Sequence, residues 1–300
     1  MRRFVVVLAS LALLAASCSA GTETGAGEPL IAASFYPLAW IAEEISGGAI
    51  EVVDLTPAGV EPHDLELSPS QVGMIGEADL VLYMGGGFQP ALETVIEPEE
   101  SPALDVLEGM DLTEDEADGL EGEGGEQEGE ARDPHVWLDP IRLSEIVERT
   151  ALAMSEAFPE QSDELLRRAD ALEDRLLELD RDLQEGLADC DRHEIVASHS
   201  AFGYLAGRYG LEQIAISGLS PEAEPSPGRI AEVIDLARAH GVTTIFFETL
   251  VSPDIAETIA GEIGVETAVL EPLETEPDEG DYLDAMGRNL EALRRALGCT

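Results

Sequence analysis

Residues 160–187 read EQSDELLRRADALEDRLLELDRDLQEGL. Leu165, Leu172, Leu176, Leu179, Leu183 and Leu187 recur at helical intervals, and Ala169 fills the gap between the first two. That spacing puts one apolar face on an α-helix. At 1.5 Å per residue the helix would be about 40 Å long, enough to run past two domains. The stripe reads as core packing, which makes the helix a spine. A coiled-coil partner is disfavoured because the periodicity does not extend beyond this helix.

On both sides of the spine, short β-like runs alternate with helical ones. Before it, Leu30–Phe35, Glu51–Thr56 and Asp79–Met84 read as strands. Pro37–Ser46, a segment opened by Pro69, Gln89–Ile96 and Ile141–Phe158 read as helices. After it, His193–Ser198, Thr243–Phe247 and Glu266–Leu270 read as strands. Helices are expected around Ile230–Ala237, from Ser252 and Pro253 to Ile263, and from Tyr282 to Leu297. Such alternation implies parallel sheets covered by helices. The expected fold is α/β, with two lobes, each a mostly parallel sheet, joined by one long rigid spanning helix. The expected boundaries are 29–158 for the first lobe, 159–188 for the linking helix and 189–300 for the second lobe.

The N-terminus reads as an export signal over residues 1–17. Arg2 and Arg3 precede an apolar run from Phe4 to Ala16, too short to span a bilayer comfortably. Ala15-Ala16-Ser17-Cys18 resembles a bacterial lipobox, with Cys18 as the lipidated residue and 18–28 as a tether. An ordinary cleaved signal is the alternative. Two cysteines remain, Cys190 and Cys299. In an exported protein they suggest a disulfide, and two unpaired thiols are the alternative.

The formal net charge is −47, and all 16 basic residues are Arg. Nothing in such a chain neutralises phosphates, so nucleic acid is excluded as a partner. Residues 111–133 hold eleven acidic residues, five glycines and one Arg. This composition cannot bury enough apolar surface to order itself. It reads as a solvated loop, or as one that gathers cations beside a site.

The chain has five histidines. His63 stands in Glu-Pro-His-Asp, His135 in Asp-Pro-His-Val-Trp-Leu-Asp-Pro and His199 in Ala-Ser-His-Ser-Ala-Phe-Gly-Tyr. Ligands in parallel α/β sheets bind beyond the carboxyl ends of strands. His63 follows one strand, His135 opens a helix after the acidic loop, and His199 ends another strand. Glu271 ends the strand Thr267–Leu270. Neutral imidazole is a common zinc ligand, and four such donors fill a tetrahedral shell. The expected metal site is therefore His63, His135, His199 and Glu271, in the cleft between the lobes. Asp64, Asp139 and Glu248 are candidates for orienting the imidazoles. His193 and His240 lie outside these phrases and read as structural.

Together these phrases resemble the metal-binding receptors of bacterial zinc and manganese ABC importers. The resemblance is carried by Pro62-His63-Asp64, by Asp133 to Pro140, by Ser198 to Tyr204, by Phe247-Glu248 ahead of Ser252-Pro253, and by Leu270-Glu271-Pro272-Leu273. It covers essentially the whole mature chain. It implies two lobes on a rigid helix, no catalysis, and a membrane permease as partner. His199 resembles the zinc branch, since the manganese branch usually has Glu there. The family usually has Asp where Glu271 stands, and zinc-branch insertions often carry His where this acidic loop has none.

The expected function is an extracytoplasmic, lipid-anchored, monomeric receptor that captures Zn²⁺ and delivers it to an ABC importer. A manganese or iron receptor of the same family is one alternative. An exported zinc hydrolase is another, because three His and an open position would activate a water. Against the hydrolase, the chain has no His-Glu-x-x-His phrase and splits its ligands between two lobes.

Overall fold

The computed structural model describes residues 28–96, 102–113 and 132–300. The first lobe opens with β1 (Leu30–Ala33), α1 (Tyr36–Ser46), β2 (Glu51–Asp54), α2 (Pro69–Glu77), β3 (Leu80–Tyr83), α3 (Pro90–Val95) and β4 (Ala103–Asp105). Every strand pair is parallel, in the order β2-β1-β3-β4. Strands buried on both faces should be continuously apolar, and Leu-Ile-Ala-Ala and Leu-Val-Leu-Tyr are. Proline in the first turn starts α1, α2 and α3. Ser68 and Gln71 close a reciprocal cap on α2.

Two long helices follow, α4 (Pro140–Ala157) and α5 (Ser162–Gly186), and they pack along each other. The connection between them is short, as expected for antiparallel neighbours. Helix α5 is the leucine spine. It buries Leu165, Ala169, Leu172, Leu176, Leu179 and Leu183.

The second lobe runs β5 (Glu194–Ala197), α6 (Gly203–Tyr209), β6 (Glu212–Ala215), α7 (Pro227–His240), β7 (Thr244–Phe247), α8 (Asp254–Ile263), β8 (Glu266–Val269) and α9 (Tyr282–Leu297). Its order, β6-β5-β7-β8, repeats that of the first lobe, again all parallel. Each sheet therefore has a point where its connections reverse direction, between β1 and β3 and between β5 and β7. Ligands bind outside the carboxyl ends of strands at such points.

Sequence reading missed β4, α6 and β6. Strand β4 has three residues, β6 mixes Glu and Gln with two apolar residues, and α6 begins on Gly203 and carries Gly207. None repeats its pattern more than about twice.

The two lobes share one core. A single buried cluster runs from Ile31, Phe35 and Ile41 through Trp137 and the α5 leucines to Phe202, Tyr282 and Leu297. Smaller clusters sit on the opposite sheet faces, around Ala32 and Val81 in one lobe and Val196 and Ile245 in the other. Spine and lobes are also tied by charge. Arg175 of α5 contacts Glu44 of α1 at 2.5 Å and Asp281, the cap of α9, at 3.1 Å. The sulfurs of Cys190 and Cys299 are bonded, fastening the end of the spine to the C-terminus.

Candidate metal centre

His63 lies in a single helical turn, Pro62–Asp64, downstream of β2. Gln89 holds that turn to the strand ends. Its buried amide N–H group donates to the carbonyls of Pro62 and Ser34, at 3.2 and 3.3 Å, and faces the Thr56 hydroxyl at 3.2 Å. The Phe88 ring meets the His63 ring edge-on, with centroids 4.6 Å apart. The Glu61 carboxylate accepts the His63 backbone N–H.

His135 is fully buried. One oxygen of Asp133 accepts both its backbone N–H, at 2.9 Å, and Nδ1–H, at 2.8 Å. Asp133 is itself placed by the second lobe, where the Tyr204 hydroxyl donates to its carbonyl at 2.8 Å. His199, at the end of β5, is also fully buried, and Glu248, at the end of β7, accepts its Nδ1–H at 2.7 Å. In the neutral form of either ring the carboxylate keeps the proton on Nδ1 and leaves the Nε2 lone pair facing inward. This is the tautomer a metal needs.

The fourth group is Glu274, in the segment between β8 and α9. Its Oε1 lies 3.5 Å from His63 Nε2, 3.4 Å from His135 Nε2 and 3.5 Å from His199 Nε2. One donor atom from each of the four residues falls within 4.8 Å of the others. All three Nε2 atoms and both Glu274 oxygens are buried without a hydrogen-bond partner. Leaving a buried polar atom unmade costs about 1–3 kcal/mol, more if charged. Five such atoms around one point fit a cation.

The electrostatics agree. Burial opposes protonation of His199, but the carboxylates of Glu248 and Glu274 outweigh it and hold its pKa well above the usual value. Burial also opposes protonation of His135, and Asp133 and Glu274 outweigh it. Burial lowers the pKa of His63. Burial would raise Glu274, but the three imidazoles overcome it and keep the carboxyl well below its usual range. Glu61 is pushed up to about 9 by burial and by the Glu274 carboxylate.

Glu271 does not join the cluster, which corrects the expectation from sequence. Asn289 clamps its backbone on both sides, donating to the Glu271 carbonyl at 2.7 Å and accepting the Glu271 N–H at 3.0 Å. Its carboxylate turns to the Thr249 hydroxyl at 2.6 Å. The chain then passes Pro272 and Leu273 and delivers Glu274. Among 63 acidic residues a second Glu three positions on carries no distinguishing mark.

Of the three orienting candidates, only Glu248 touches an imidazole. Asp64 is exposed. Asp139 instead caps α4, accepting the Ile141 N–H at 2.9 Å, and faces Arg208 at 3.3 Å. Asp133 takes the role at His135, and its place two residues before that histidine was the available signal. His193 is exposed and His240 pairs with Glu194, both away from the cluster. Cys18 and residues 114–131 of the acidic loop lie outside the described residues.

His63 is the only one of the four with more than a trace of exposure, at 11% of its side chain. It opens onto a cleft of about 750 Å³ lined by Gly86, Asp105, Met110, Pro134 and Leu219.

Comparison with known proteins agrees with this architecture. The zinc-binding lipoprotein AdcA of Streptococcus pneumoniae is 34% identical over 98% of this chain. The chain spans 61% of the length of that relative. The high-affinity zinc uptake system protein ZnuA of Bacillus subtilis is 33% identical over 97% of this chain and 96% of its own length. The Zn(II)-bound ZnuA-like domain of S. pneumoniae AdcA superposes with a TM-score of 0.75 at 32% identity, covering 90% of this chain and 99% of that domain. The family model described as ZnuA, zinc-uptake complex component A, periplasmic, matches residues 31–296, and the chain belongs to that family.

Proposed function

We propose that the protein is an extracytoplasmic receptor that captures Zn²⁺ between its lobes and hands it to a membrane ABC importer. His63 and His135 supply two nitrogens from the first lobe. His199 and Glu274 supply a nitrogen and an oxygen from the second. The observation that carries this reading is the convergence of four buried donors whose metal-facing atoms have no other partner. Three imidazoles and one carboxylate suit four-coordinate zinc. Manganese is favoured by more oxygen donors, so a manganese or iron receptor fits less well.

The protein is a binding protein and not an enzyme. A zinc hydrolase keeps a position open for water, whereas Glu274 faces all three imidazoles and closes the shell. Relatives named as zinc uptake proteins and as a zinc-binding lipoprotein support export, with Cys18 as the lipid anchor and a permease as the receiving partner. Competition with a zinc-chelating dye tests the reading on purified protein. One Zn²⁺ per chain is expected, held more tightly than Mn²⁺. Absence of saturable zinc binding, or tighter Mn²⁺, would overturn it.

A further inference from the structure

We propose that Trp137 is a positioning residue for Glu274, so that the turn beside one ligand of the first lobe also holds in place one ligand of the second. This inference rests on the metal-site reading above. Trp137 is fully buried in the single helical turn Val136–Leu138, two residues after His135. Its ring packs against His135, with centroids 5.0 Å apart, and against Phe35 at 4.9 Å. Its indole N–H donates across the lobe boundary to the carbonyl of Pro272 at 2.7 Å. Its own carbonyl accepts the Tyr282 hydroxyl at the start of α9.

Pro272 has no backbone N–H, so its carbonyl is its one main-chain handle. Next comes Leu273, with φ of +59°, the only non-glycine residue with positive φ among those described. A leucine in that region is disfavoured and persists only where its surroundings determine it. Two anchors do so: Asn289 on Glu271, and Trp137 on Pro272. The third residue along, Glu274, is the ligand. Releasing Pro272 lets Leu273 relax toward negative φ, which rotates Glu274 away from the imidazoles. Trp137 thereby makes lobe contact and delivery of the fourth ligand one event.

The test is chelator-driven Zn²⁺ release followed by stopped flow on wild type, Trp137→Phe, Glu274→Gln and the double variant. Phe keeps the buried ring and removes the N–H. If Trp137→Phe misfolds, benzothienylalanine at 137, which replaces N–H by sulfur at nearly constant shape, takes its place. Tyr282→Phe is the control, since it loosens the same turn without touching Pro272. Loss of one buried hydrogen bond should speed release by about tenfold in the wild-type background. In the Glu274→Gln background the same change should add less than about twofold, because interacting residues are non-additive. An equal acceleration in both backgrounds, or one matched by Tyr282→Phe, would mean a merely structural role and overturn the inference. No acceleration at all would overturn it too. Failure of the wild type to bind zinc would instead remove the metal-site reading on which it stands.

Discussion

His199 and Glu248 end adjacent parallel strands, β5 and β7, and meet through a 2.7 Å bond from Nδ1–H to Oε1. The sheet itself sets the imidazole, because the reversal point between those strands is where the carboxylate can reach the ring. Charge on Glu248 fixes the tautomer and raises the basicity of Nε2. Glu248→Gln should therefore weaken zinc binding by about 10- to 100-fold. Asp64→Asn should leave it unchanged, since Asp64 is exposed. Dye competition at fixed pH measures both, and equal effects would remove Glu248 from its orienting role.

Glu271 and Glu274 provide a second comparison within one loop. Among the described residues Glu274 is the one carboxylate in the donor cluster, and Glu274→Gln leaves less negative charge against a divalent ion. A loss of zinc affinity of about 30- to 1,000-fold is expected, on the scale of about 2–4 kcal/mol for an uncompensated charged contact. Glu271→Gln keeps an oxygen for Thr249 and should change affinity by less than about threefold. Calorimetric titration separates the two, and the reverse ranking would restore Glu271 as the ligand.

Much of this was legible in the chain. The α5 leucines gave the spine because their helical period runs through about seven turns and stops with the helix, and the three histidines stood out by the phrases Glu-Pro-His-Asp, Asp-Pro-His-Val and Ala-Ser-His-Ser around them. Glu274 did not, for a physical reason. Its place depends on the αL backbone of Leu273 and on bonds from Trp137 and Asn289, residues separated from the loop by 135 and 18 positions. The shared core was equally hidden. The alternation on each side of the spine argued for two separate lobes, yet Trp137 and Tyr282 fill the boundary between them and make the core continuous.

Asp54 predicts how stability follows pH in the metal-free protein. Burial, with help from Glu43 and Glu276, pushes its pKa up to about 7 against the opposing Thr56 N–H. The folded state thus holds a proton that the unfolded state has lost, and stability falls as pH rises from about 4 to about 7. Asn at 54 keeps an oxygen for the Thr56 N–H and has no charge to bury. Asp54→Asn should match wild type near pH 4 and exceed it by about 1–2 kcal/mol at pH 8, once screening of the part-exposed carboxylate is allowed for. Urea melts at the two pH values, with chelator present, decide it. A constant difference across the range would show that Asp54 does not titrate abnormally.

Zinc affinity should carry its own pH signature. Before metal binds, the carboxylates around His135 and His199 raise both imidazoles, so each keeps its proton to higher pH than a free histidine. Glu274 is already ionised, its carboxyl held well below the usual range. Zinc requires neutral imidazole, so binding must expel the protons of the raised histidines. Apparent affinity therefore climbs with pH through and above the ordinary histidine range near 6.5, and flattens only once both rings are neutral. Calorimetry at pH 7 in buffers of different ionisation enthalpy should give about one to two protons released per Zn²⁺. In Glu248→Gln the pKa of His199 loses its chief support, and release should fall by up to about one proton while overall affinity drops. Proton release that is zero in the wild type, or unchanged in Glu248→Gln, would mean that His199 is already neutral in the metal-free site.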